Sequence, residues 1–225
     1  MRLGETYLLA AEAAGRKGNF KKAAEYINVI RKRAAWADGE VKDQQIWLFE
    51  GGENNKSTFN KYSVLFVCLG NICRSPSAEA VMKKLVADEN LTDKIYIDSA
   101  GIINYHEGEN ADSRMRAHAI RRGYNLDSIS RPVRTEDFYK FDLIIGMDNR
   151  NVDDLKEKAP DLDSVKKIHQ MTEFSKNKLY DYVPDPYYGG ASGFELVLDL
   201  LEDACGGLLE FIKENMLTRE HVDKV

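Results

Sequence analysis

Two kinds of periodicity divide the chain. Leu3, Tyr7, Ala10, Ala11 and Ala14 recur at helical spacing, and Phe20, Ala23, Ala24, Ile27, Ile30 and Ala34 do so again after a break at residues 15–19. This predicts a helical hairpin over residues 1–37. A linker is expected over residues 38–62, opened by Asp38-Gly39 and closed by the polar run GGENNKSTFNKY from Gly51. Trp47, Leu48 and Phe49 interrupt it and are candidates to dock elsewhere.

From residue 63 onward the pattern becomes one of strands alternating with helices. Val64 to Val67 is a continuous apolar run, as expected of a strand covered on both faces, and it leads into a helix over Pro76 to Ala87 with Ala78, Val81, Met82 and Leu85 on one side. Further strands are predicted at Lys94–Asp98, Asp142–Met147 and, more weakly, Val165–Gln170. Helices are predicted at Asp112–Arg122 and Asn149–Lys158. A last helix carries the stripe Phe194, Val197, Leu198, Leu201, Ala204, Cys205, Leu208 and Ile212, and Gly206-Gly207 within it predicts a bend or a frayed end, at about 1 kcal/mol per glycine relative to Ala. Alternation of this kind implies crossover connections, a parallel sheet and an α/β domain over residues 63–225.

Composition narrows what such a domain is for. The net charge of -5 argues against broad nucleic-acid or membrane-surface binding, so the substrate must be recognised at a site. The charge is unevenly spread: residues 1–62 hold 11 basic and 8 acidic residues and residues 63–225 hold 21 and 29, which reinforces the division into two parts. Three cysteines (Cys68, Cys73, Cys205) form a sparse, odd set that points to a reducing cytosol rather than a disulfide framework. No apolar run approaches the roughly 18 residues of a membrane span, and Glu5 and Glu12 fall inside any candidate signal core, so a soluble, cytoplasmic chain is expected.

The candidate chemistry gathers in the first strand-to-helix turn, Val67-Cys68-Leu69-Gly70-Asn71-Ile72-Cys73-Arg74-Ser75-Pro76. Ser75-Pro76 reads as an N-cap and first helical residue, so the preceding residues loop around the positive end of a helix. Gly70 and Asn71 both tolerate the left-handed conformations that turn successive N–H groups into a concave nest for a tetrahedral oxyanion. Arg74 adds a planar, two-pronged donor, and the positive potential at Cys68 favours a thiolate nucleophile. A thiolate attacking a phosphate monoester also needs an acid for the leaving oxygen. Asp185 is the candidate, set between Pro184 and Pro186 with Tyr182, Tyr187 and Tyr188 nearby. Plain alternatives stand beside these readings: Cys68 and Cys73 as buried thiols, Asp185 as a turn residue, Asp148 as either a site residue after the third strand or only a helix cap. Cys205 reads as core, His118 as structural, and Arg121, Arg122, Arg131 and Arg134 as a mostly solvated face. His106, His169 and His221 show no ligand spacing, and the two loop cysteines lack the further ligands of a zinc site.

VLFVCLGNICRSPSAEAVM together with DPYYG resembles the low-molecular-weight protein tyrosine phosphatases, with element order similar from about Ser63 to Lys213. The resemblance implies a four-stranded parallel sheet with helices on both faces and an anion-binding loop after the first strand. It implies Cys68 as nucleophile, Arg74 as binder of phosphate and transition state, and Asp185 as general acid and then base. Leu69, Gly70, Asn71, Ile72 and Cys73 complete the phosphate loop, with Asn71 and Ser75 in support. Ile72, Tyr105, Tyr187 and Tyr188 line the substrate cleft, and position 72 bears on substrate choice because relatives acting on phosphoarginine tend to carry Thr there. Cys73 matches a cysteine that traps the nucleophile as a reversible disulfide. No cofactor or metal is expected; the partners are a phosphotyrosine protein or a small aryl phosphate.

Residues 1 to about 36 resemble a helical-hairpin fragment of SusD/RagB-type proteins, which contain tetratricopeptide-like units. A single such unit cannot bury its apolar face, which leaves a weak protein partner as a candidate role. Two other functional classes remain: an arsenate reductase-like enzyme, which needs two further relay cysteines, and a non-catalytic phospho-ligand module with a recruiting hairpin.

Overall fold

The computed structural model describes residues 61–187 and 190–222. The predicted hairpin of residues 1–37 and, apart from Lys61 and Tyr62, the predicted linker lie outside the described residues, as does Tyr188. Strands β1 (Tyr62–Cys68), β2 (Ile95–Gly101), β3 (Leu143–Gly146) and β4 (Ile168–Gln170) form one sheet in the order β2-β1-β3-β4, parallel throughout. The helices are α1 (Arg74–Asp88), α2 (Ser113–Arg121), α3 (Thr135–Lys140), α4 (Asn149–Lys158), α5 (Leu162–Val165) and α6 (Ala191–Val222), with a 3-10 turn at Met171–Phe174. No helix among the described residues is long and apolar enough to cross a membrane.

Every residue of β1 is buried, which is why its sequence is a run of apolar positions instead of an alternation. The side chains still divide with a period of two. Val64, Phe66 and Cys68 join Met82, Met115, Phe194 and Leu201 in one core, under α1, α2 and α6; Leu65 and Val67 join Phe138, Val152 and Leu155 in a second, under α3 and α4. The α/β architecture is therefore the one expected. Because β1 lies between β2 and β3, the connections from β1 to β2 and from β2 to β3 carry the chain to opposite sides of it. At such a reversal the loops beyond the C-terminal strand ends part and open a crevice.

Three short elements have no counterpart among the predicted ones: α3, α5 and the 3-10 turn, of six, four and four residues. Periodicity cannot register over so few positions. They are set by local caps instead, Asp137 accepting from Arg134 N, Asp161 from Ser164 N and Glu173 from Gln170 N. Because Val165 ends α5, the fourth strand is shorter than predicted. Of the predicted bend or frayed end at Gly206-Gly207, the frayed end is corrected, since α6 runs through both. A Cβ on Gly207 would lie 2.0 Å from the Phe174 carbonyl oxygen, whereas one on Gly206 would meet nothing within 4 Å. Gly207 lets the helix close on the 3-10 turn, and the burial of Leu208 and Ile212 offsets its low helical propensity.

Candidate active site

The loop between β1 and α1 takes its shape from its carbonyl groups. Cys68 O accepts from Ile102 N, Leu69 O from Ile103 N, Gly70 O from Ser130 Oγ, Ile72 O from Asp112 N, and Cys73 O from Ser77 N and Oγ. The amides of Gly70 to Arg74 donate to no other protein group among the described residues, so the loop retains its donors for an oxyanion. Asn71 adopts the left-handed conformation at φ 55°, but Gly70 does not, contrary to the expectation for both. Gly70 serves a close approach instead: a Cβ there would lie 3.0 Å from His106 Cδ2.

Behind the loop, Asn71 Nδ2 donates to Ser75 Oγ at 2.9 Å and to Ser99 Oγ at 2.8 Å, and its Oδ1 accepts from Arg131 N at 3.0 Å. Ser99 Oγ in turn donates to buried Glu79, which pairs with Lys83. Ser75 Oγ lies 3.1 Å from Cys68 Sγ and 3.2 Å from Ala100 O. With Asn71 donating to it, the hydroxyl has one proton to give, and both Ala100 O and Cys68 Sγ stand within its reach. Ser75 is thus not the helix cap that Ser75-Pro76 predicts. The helix begins at Arg74 with Cys73 at the cap position and no side-chain cap bond, and the Ser75 hydroxyl stands beside the sulfur and Ala100 O instead.

Arg74 is only 3% exposed, yet both terminal nitrogens are paired: Nη1 with Asp148 Oδ2 at 2.5 Å and with Val183 O at 3.2 Å, Nη2 with Asp185 Oδ2 at 2.8 Å. Burial opposes its charge, but Cys68, Asp185 and the Asp148 hydrogen bond outweigh that and raise its pKa. Its buried Nε–H has no protein partner among the described residues. Asp148 is the helix cap that one reading of the sequence expects, its Oδ1 accepting from Asn151 N, and its other oxygen is the one on Arg74.

Asp185 reaches Arg74 from a loop anchored by Val183, which is fully buried and donates through its amide to Met147 O. The carboxylate is 40% exposed, and Oδ1 accepts from Tyr187 N at 3.1 Å. A cleft of about 380 Å³ has Cys68, Leu69, Gly70, Ile72, Cys73 and Arg74 together with Asp185, Tyr105 and Tyr187 on its walls. Asn71 and Ser75 are not among its lining residues; they brace the loop. Burial, then the charge of Asp112, pushes the Cys73 thiol well above its ordinary range. Cys205 is buried in the core, as expected.

Several participants escape sequence reasoning. His106 and Ile103 also line the cleft, and His106 Nδ1 lies 2.7 Å from Glu109 Oε2. Tyr105 is the one available signal for this rim. Arg131 is not solvated but held between Asp98 and Asp137, and Arg122 between Glu195, Asp199 and Glu202. Partners of this kind come together only in the fold.

Known proteins resemble the same region. The profile of the low molecular weight phosphotyrosine protein phosphatases matches residues 63–219, and that of the SusD family matches residues 1–89, overlapping it across β1 and α1. A low molecular weight phosphotyrosine protein phosphatase of Rattus norvegicus is 43% identical over 149 residues, 66% of this chain and 94% of its own length. A Streptomyces coelicolor low molecular weight protein-tyrosine-phosphatase is 40% identical over 157 residues, 69% of this chain and 96% of its own. The crystal structure of a protein tyrosine phosphatase from Entamoeba histolytica, with Hepes in the active site, superposes with a TM-score of 0.67 at 52% identity, over 69% of this chain and 99% of that one.

Proposed function

This chain belongs to the low molecular weight phosphotyrosine protein phosphatase family and is a protein tyrosine phosphatase, and we propose that it hydrolyses phosphotyrosine and aryl phosphates through a cysteinyl-phosphate on Cys68. The observation that carries this reading is Arg74: buried beside Cys68 at the mouth of a loop whose amides, like its own Nε–H, have no protein partner among the described residues, with an acid on its far nitrogen. A phosphoryl group seated there meets donors fixed before it arrives.

In the first step the Cys68 thiolate attacks phosphorus, the bond to the tyrosyl oxygen breaks, and Asp185 as the carboxylic acid gives that oxygen its proton. In the second step Asp185, now the carboxylate, takes a proton from water as the water oxygen attacks phosphorus; the S–P bond breaks, releasing inorganic phosphate and the thiolate. Ser75 steadies the sulfur whenever it carries charge, and Arg74 with the loop amides holds the equatorial oxygens in both steps. Ile72, Tyr105 and Tyr187 supply walls for an aromatic ring. A peroxide, itself reduced to water or an alcohol, would oxidise Cys68 to a sulfenic acid, and attack by Cys73 with loss of water would convert this to a disulfide that a thiol reduces. A mechanism that needs a free thiolate belongs in a reducing compartment, and we place the chain in the cytoplasm.

The test is hydrolysis of phosphotyrosine, phosphoserine and phosphoarginine peptides and an aryl phosphate, with thiol-coupled arsenate reduction alongside. Phosphotyrosine and the aryl phosphate should be turned over, and Cys68→Ser should abolish this while still binding an inert phosphate analogue. Substantial turnover by Cys68→Ser would remove the covalent mechanism.

A further inference from the structure

One arginine that the chemistry does not use ties the acid loop to the phosphate loop. Arg114, in the first turn of α2, is gripped by Asp112, whose Oδ1 and Oδ2 accept from Nε at 3.1 Å and Nη2 at 2.8 Å. Asp112 also caps α2 through Arg114 N and Met115 N, and its own N–H donates to Ile72 O at 2.8 Å in the phosphate loop. On the other side, Arg114 Nη2 donates to Tyr187 O at 3.1 Å. The guanidinium carbon lies 5.4 Å from the centre of the Tyr187 ring and 5.1 Å from that of Phe194. Tyr187 N then donates to Asp185 Oδ1. Contacts therefore run from Ile72 through Asp112, Arg114 and Tyr187 to the carboxyl group.

We infer that Arg114 is a positioning residue, which holds Asp185 over the phosphate loop and keeps Tyr187 in place as a wall of the cleft while the reaction proceeds. The direct Arg74–Asp185 contact cannot do this alone. A phosphoryl group that takes up the Arg74 donors competes with Asp185 for them, whereas the Arg114–Tyr187 contact uses none of those donors and survives substrate binding. The role calls for arginine because a planar group must meet a carboxylate along one edge, donate to a carbonyl and lie against two aromatic rings; an ammonium group satisfies at most part of this. Arg114 is about half exposed, so its electrostatic attraction to Asp112 is screened and its contribution is geometric.

This inference rests on Asp185 being the general acid, and its test separates the two. Arg114→Met, Arg114→Lys and Asp185→Asn are each assayed by kcat/KM on phosphotyrosine and on aryl phosphates of decreasing leaving-group basicity, with thermal melting to confirm folding. Arg114→Met should lose about tenfold on phosphotyrosine and under about twofold on the least basic leaving group, because only a poor leaving group needs a well-placed proton. Arg114→Lys should fall between it and the parent, and Arg114→Met added to Asp185→Asn should steepen the leaving-group dependence no further. An equal loss on every substrate, or none, while Asp185→Asn retains its leaving-group dependence, overturns the positioning role and leaves the acid assignment intact. A flat response in Asp185→Asn overturns that assignment and this inference with it.

Discussion

The loop of residues 68–74 is held from behind by five of its own carbonyl groups and by buried Asn71 and Ser75, whereas the loop that carries Asp185 hangs on a few tethers. These are Gln170 and Thr172 on Asp181 O, the Val183 amide on Met147 O, and the two arginines. Around them Leu179, Tyr180 and Tyr182 are exposed, and Val183 and Pro186 are the buried pins on either side of the acid. Both loops face one cleft, but their tasks differ. Donors to a developing oxyanion act without reorganising, so their backbone must be fixed in advance. A proton donor has to reach one oxygen and then let the product leave, and segments with few buried contacts open at low cost.

That contrast is broken or sharpened by experiments of decreasing effect. Arg74→Lys should lower kcat/KM by about a thousandfold or more on every aryl phosphate alike, because a point charge cannot serve two oxygens in a fixed plane. Retention of a tenth of the activity would mean that the cradle does not depend on the guanidinium. Asp185→Asn should cost about a hundredfold on phosphotyrosine but only a few-fold on a substrate with a weakly basic leaving group, and steady-state kinetics across such a series would reveal a uniform loss if another acid serves.

Asn71→Ala should cost about 2 kcal/mol in urea unfolding, since it strips partners from Ser75, Ser99 and the Arg131 amide in a buried site. Tyr182→Ala, on the other loop, should stay within about 0.5 kcal/mol. Similar losses for both would erase the difference in construction.

Mild peroxide should inactivate reversibly, with peptide mapping finding Cys68 joined to Cys73. Because burial raises the Cys73 pKa, this residue is a thiol at neutral pH, and disulfide closure through its thiolate should accelerate as pH rises into the alkaline range. A closure rate independent of pH would show that Cys73 does not attack as the thiolate. Smallest of all, a chain starting at Lys61 should match the full chain in kcat/KM and melt cooperatively, because no residue of either loop precedes β1. Loss of activity without unfolding would place part of the site in residues 1–60.

The phosphate loop is largely legible in the sequence because its chemistry is contiguous. A buried strand, Cys68, a turn, Arg74 and a helix start follow one another within a few residues, and strand and helix periods on either side identify the turn. Even there, Ser75 misleads, since a hydroxyl at a helix start is locally indistinguishable from a cap until a sulfur lies beside it. The acid loop is legible only as Asp185 between two prolines, a pattern that a plain turn also produces.

What the sequence determined by itself was the alternation of elements, the burial of β1 on both faces and the local residue set of the anion loop, because these depend on neighbours in the chain. Tertiary structure alone decided that Arg74 meets Asp148 and Asp185, 74 and 111 residues away, that His106 lines the rim, and that Arg114 reaches Tyr187 across 73 residues. The order of strands in the sheet sets those meetings, by bringing the ends of β1 and β3 to one crevice, and a periodic pattern of apolar positions carries no record of which strand lies beside which.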